Sequence, residues 1–168
     1  NRPTLLVGHS LGGSIAIEAA AEHPMVQGYA ALMALAASDN KPPASNKANT
    51  AKLAADSVTF HRDLPPGSHP TPEQQRRRFD LPSGFFEDQR QHGKVLYDAL
   101  HHCQKPKLFI TGLYDTAQGT PEAIQDLINT LPDPKEHHIL YIGHGYRYHP
   151  PHIDYINQLL GQLVEHLP

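Results

Sequence analysis

Apolar and polar positions fall in short blocks along the chain rather than in one long period. Residues 4–7 form an apolar run that stops at Gly8, and residues 14–22 are rich in strong helix formers and end at His23-Pro24. That order predicts a strand, a sharp turn and a helix. Residues 26–37 are apolar again but rich in Ala, Leu and Met. Propensity favours a helix there while the alternation of elements calls for a strand, and a strand is assigned to residues 29–35.

From Asp39 the composition turns polar and proline-bearing, and little strand-like sequence returns before Lys107. This marks an insert over residues 38–103. Within it Thr71-Pro72-Glu73-Gln74 combines a capping residue, a proline at the first helical position and a glutamine suited to a capping box, which predicts a helix start. Two or three short helices are expected in the insert. Phe60, Phe79, Leu81, Phe85, Phe86 and Tyr97 supply apolar groups that either pack the insert onto the body, the preferred reading, or face a cleft. Alternation resumes with a strand over 106–112, a helix opened by Thr120-Pro121-Glu122 and ending before Pro132, and a strand over 137–143. A last helix begins near Pro151, with Ile153, Ile156, Leu159, Leu160, Leu163 and Leu167 at three- and four-residue spacing on one face. Strands separated by helices imply an α/β fold with a mostly parallel sheet covered on both sides.

Composition narrows the function classes. With 168 residues, 39% hydrophobic, 18% charged and a formal net charge of -3, the chain fits one globular domain and lacks the cationic excess expected of a nucleic-acid binder. No run is long and apolar enough for a transmembrane segment. Cys103 is the single cysteine, so no disulfide forms within the chain, and the compartment stays open. The 13 histidines include the pairs His101-His102 and His137-His138 but lack metal-site spacing, so no metal or cofactor is expected. Arg76-Arg77-Arg78 reads as a solvated helix face rather than an anion site.

The segment Gly8-His9-Ser10-Leu11-Gly12-Gly13 matches G-x-S-x-G directly after an apolar strand and at the opening of a helix. There a tight turn holds Ser10 out of the sheet, and glycines are expected on both sides because side chains would collide. The helix N-terminus places the Leu11 backbone N–H where a developing oxyanion could be stabilised. Ser10 is the candidate nucleophile, and a serine hydroxyl needs a base to act at neutral pH.

These features resemble the α/β-hydrolase superfamily, in the esterase- and lipase-like, cap-bearing branch. The resemblance implies a catalytic order of serine, acid and histidine, with the acid after a late strand and the histidine after the last. Asp115, in Gly112-Leu113-Tyr114-Asp115, matches the acid turn, and His144, in Gly143-His144, matches the histidine loop. Asp39 remains an alternative acid and His149 an alternative base, while His152, His137 and His138 read as surface or packing residues. The implied division is a core of residues 1–37 and 104–168 with a helical cap over 38–103.

The implied activity is hydrolysis of an ester or related acyl bond in a small-molecule substrate. An acyltransferase on the same triad and a non-catalytic ligand-binding protein are the alternatives. The family's earlier strands, with the loop that donates a second oxyanion N–H, have no counterpart before Thr4. The chain is therefore expected to be a C-terminal fragment with an unpaired edge on its first strand, poorly folded or inactive alone.

Overall fold

A computed structural model describes residues 3–35, 57–61, 76–80, 85–115, 118, 120–146 and 150–168. In chain order the elements are β1 (Thr4–His9), α1 (Leu11–Glu22), β2 (Val26–Leu32), β3 (Ser57–His61), β4 (Arg76–Asp80), α2 (Phe85–His102), β5 (Lys107–Gly112), α3 (Pro121–Asn129), β6 (Lys135–Leu140) and α4 (Pro150–Glu165). The main sheet has the order β1-β2-β5-β6, and each adjacent pair is parallel. β3 and β4 form a separate antiparallel pair.

Two apolar layers enclose the sheet, and the two-residue period of each strand deals side chains to both. On one side Tyr29, Ala31 and Phe109 pack with Ile17 and Ala20 of α1, Leu100 of α2, and Ile124 and Ile128 of α3. On the other, Ala30, Leu32, Leu108 and Ile110 meet Ile156, Leu159 and Leu163 of α4. All six residues of β5 are consequently buried, as a strand covered on both faces requires. Within α4 the buried positions keep the spacing expected from the sequence. Lysines finish the helices on the first side. Lys105 Nζ donates to the carbonyls of Ala20, in the last turn of α1, and His23, just past it, and Lys107 and Lys135 donate to those of Pro132 and Leu131 beyond α3. Each cation thus meets carbonyls at or just past a helix C-terminus, where the dipole favours positive charge.

Three expectations are corrected. β2 begins three residues earlier than assigned and stops at Leu32, because Met33 takes a positive φ of 46° and turns the chain while its N–H donates to the Ile110 carbonyl at 2.8 Å. β6 likewise runs earlier than the assigned 137–143, as the carbonyls of Leu140 and Ile142 accept from the turn after β5 instead of from a strand. The insert is not built of short helices alone. Arg76, Arg77 and Arg78 lie on β4, paired with His61, Phe60 and Thr59 respectively, of a β-branched and aromatic strand, and the ladder satisfies their backbone where a helix was expected. Among the described residues of the insert the helix is α2, which spans 18 residues, and its later part, with Leu96, Ala99 and Leu100, packs into the core. Residues 71–75, where the helix start was placed, and Leu81 lie outside the described residues.

His137, on β6, is not a surface histidine. Its Nε2 accepts from the Thr111 hydroxyl at 2.9 Å, and its Nδ1–H donates to Gln125 Oε1 on α3 at 2.8 Å, a pattern that suits the neutral ring. Burial, with His138 beside it as a smaller cause, lowers its pKa from 6.5 to about 4. Between those two values the unfolded chain binds the extra proton and the folded one does not, so this group's contribution to stability is lost as pH falls through 6.5 towards 4. Replacing His137 by Gln should therefore flatten that part of the stability curve. Urea midpoints measured from pH 7 to pH 4 check it, and parallel losses in both proteins would show that His137 does not set the slope.

Candidate active site

At the end of β1 the chain turns directly into α1, and the turn is set by atoms too close for side chains. A Cβ on Gly8 would lie 2.0 Å from the Gly12 carbonyl oxygen, and one on Gly13 would lie 2.2 Å from Ala34 Cβ. Gly12 itself has open space where its Cβ would be, so the collision expected there is corrected: the second crowded position is Gly13. Ser10, between them, takes φ 55° and ψ -128°, a conformation that costs an L residue about 1–3 kcal/mol. Its backbone is held on both sides, with the N–H donating to the Leu32 carbonyl at 3.0 Å and the carbonyl accepting from Gly13 N–H at 2.9 Å. Behind it, the Leu11 N–H is among the first four of α1, which have no acceptor within the helix.

Two further loops leave the same end of the sheet and are stitched together by their backbones. Leu113 N–H donates to the Leu140 carbonyl at 2.8 Å and Tyr114 N–H to the Ile142 carbonyl at 3.1 Å. Gly112 permits this approach, because a Cβ there would sit 2.7 Å from the Ile142 oxygen. The result brings Asp115, whose side chain is fully buried, against His144, whose side chain is 32% exposed. His144 Nδ1 lies 2.8 Å from Asp115 Oδ2, and its Nε2 lies 3.0 Å from Ser10 Oγ. A carboxylate offers only lone pairs, so Nδ1 carries the hydrogen and Nε2 of the neutral ring accepts from the serine hydroxyl. The arrangement can raise the nucleophilicity of Ser10 by removing its proton while Asp115 holds the ring in that tautomer.

No protein-family profile matches the chain, and no curated protein is significantly similar to it in sequence. Solved structures are similar in fold. The esterase domain of a Rhodothermus marinus protein aligns over 95% of this chain and 60% of its own, with TM-score 0.60 and 21% identity. The monoacylglycerol lipase of Paleococcus ferrophilus aligns over 98% of this chain and 69% of its own, with TM-score 0.63 and 20% identity. A metagenome-derived lipolytic enzyme gives 0.63 at 21% identity, over 98% and 66% of the two chains. This chain has the α/β-hydrolase fold. It spans 60 to 69% of the length of those three structures.

In this α/β-hydrolase fold the four residues singled out from the sequence, Ser10, Leu11, Asp115 and His144, gather at the C-terminal ends of the strands, where open parallel sheets place their sites. Asp39 and His149 lie outside the described residues. His152 lies in the first turn of α4, His101 bonds to Thr130, and His138 bonds to Tyr155. Among the described residues no group of three or more His, Cys, Asp or Glu is placed to hold a metal ion. Cys103 is free and buried. One residue the sequence reading passed over is His9, inside the motif itself, whose Nε2 lies 2.8 Å from the His144 carbonyl oxygen. Its place beside Ser10 was the available signal.

The glycine geometry yields a contrast within one motif. Gly8→Ala should destabilise the protein by about 3 kcal/mol, since a backbone carbonyl cannot yield as a flexible side chain would, whereas Gly12→Ala should leave stability within about 1 kcal/mol. Chemical denaturation of the two variants measures this, and equal effects would show that the crowding at Gly8 is not what shapes the turn.

Proposed function

We propose that the protein carrying this chain is a serine hydrolase that cleaves an ester or related acyl bond in a small molecule. The observation that carries the reading is the unbroken chain of hydrogen bonds from Ser10 through His144 to Asp115, at 3.0 and 2.8 Å. Ser10 Oγ attacks the substrate carbonyl as its proton passes to His144 Nε2, and Asp115 steadies the imidazolium that forms. The Leu11 N–H, at the positive end of α1, stabilises the negative charge on the carbonyl oxygen. His144 then returns the proton to the leaving group. The acyl group remains on Ser10 until water, deprotonated by the same histidine, releases the acid and restores the hydroxyl.

Similarity in fold to an esterase domain and a monoacylglycerol lipase supports the choice of bond. The insert acts in this reading as a cap through the residues that precede the later part of α2, which itself packs into the core. It leaves the sheet after β2, whose last residue, Leu32, bonds directly to Ser10 N–H, so the connection starts beside the nucleophile. Among the described residues no helix is long and apolar enough to cross a membrane.

Hydrolysis of a p-nitrophenyl ester by the whole protein tests the assignment. Ser10→Ala, His144→Ala and Asp115→Asn should each lower kcat by about 10³-fold or more, and the Ser10→Ala/His144→Ala double variant should be little worse than either single one, because the three groups act as a unit. Activity that survives Ser10→Ala would remove the nucleophile from the scheme.

A further inference from the structure

Ser10 and His144 reach each other from strands that are not neighbours. β1 and β6 form opposite edges of the four-stranded sheet, three strand spacings or about 14 Å apart. The backbone bonds that align His144 with Asp115 tie its loop to the turn after β5, which fixes the acid–base pair but not its distance from the nucleophile. The link across to β1 runs through His9. Its Nε2–H donates to the His144 carbonyl at 2.8 Å, and its ring lies 4.8 Å from the His144 ring and 5.3 Å, edge to face, from that of Tyr146. Donor and rings thus hold the loop at His144 and at Tyr146, close to the atom that must meet Ser10 Oγ.

We propose that His9 is a positioning residue, which fixes His144 over Ser10 by donating a hydrogen bond to its backbone carbonyl and packing against its imidazole. The inference rests on the reading of Ser10, His144 and Asp115 as a catalytic set. A carbonyl can only accept, so the bond requires the hydrogen on His9 Nε2. Being adjacent to Ser10 on β1, His9 carries any shift of the nucleophile strand directly to the base. Proton transfer is sensitive to such placement, and an error of about 1 Å at the reacting atoms costs on the order of 10²-fold in rate.

The test compares wild type with His9→Phe, which keeps a ring and removes the donor, and His9→Gln, which keeps an N–H donor at similar reach, with Ser10→Ala as the blank. The readouts are the rate of Ser10 labelling by a fluorophosphonate, and kcat and KM for a p-nitrophenyl ester. The expected result is a 10- to 100-fold fall in labelling rate and kcat for His9→Phe, roughly in line with that sensitivity, with KM little changed and substantial recovery in His9→Gln. Wild-type rates in a folded His9→Phe, or a loss that His9→Gln does not recover, would overturn the proposal. Should His9→Phe fail to fold, nitrogen-15 histidine NMR of the wild type decides: a protonated Nε2 on neutral His9 supports it and a bare Nε2 overturns it. A folded wild type that neither labels nor turns over is the distinct outcome in which the catalytic reading itself fails, and the role of His9 with it.

Discussion

Where β1 hands over to α1, Gly8 lies against the Gly12 carbonyl more closely than any side chain would permit, and the placement of the site follows from that approach. The turn it allows is short enough to leave one residue, Ser10, between strand and helix, and that residue is driven to a positive φ. Strain of this kind persists only where surrounding bonds determine the conformation. Here Leu32 and Gly13 take both backbone groups of Ser10, and the burial of Ile17 and Ala20 anchors α1 against the sheet. One steric constraint therefore produces an outward-facing hydroxyl and a helix N-terminus behind it.

The other half of the site depends on sheet order. Placing β5 beside β6 lets two loops share backbone hydrogen bonds, and this registers Asp115 with His144 independently of Ser10. Asp115 is fully buried, and a carboxylate removed from water needs a partner that donates to it. His144 is that donor, and its own side chain stays partly exposed. Ser10, His144 and Asp115 are thus linked by hydrogen bonds, and the apolar layers on both faces of the sheet hold the three strand ends in place.

Legibility in the sequence followed the range over which each feature is determined. The strand, turn and helix around Ser10 were readable because their signals lie within about twenty consecutive residues, and α4 was readable from the spacing of Ile156, Leu159 and Leu163. Asp115 and His144 could be nominated because each follows a short apolar run. The end of β2 was not readable, since Met33 looks like a strand residue and turns only because Ile110 offers its carbonyl. Arg76, Arg77 and Arg78 misled for a similar reason, the pairing with β3 overriding a local helix signal. Gly12 was credited with a steric role that belongs to Gly13, a distinction visible only once Ala34 is placed beside it. The contact between His9 and His144 joins residues 135 apart, and no local pattern announces it.

The most direct measurement is peptide mapping by mass spectrometry after the whole protein has reacted with a fluorophosphonate. The account predicts one phosphonyl adduct, on the peptide that holds Ser10, formed at neutral pH and absent after denaturation before labelling. An adduct on another serine, or none on a protein that is folded, would contradict the claim that Ser10, His144 and Asp115 form a working nucleophile, base and acid.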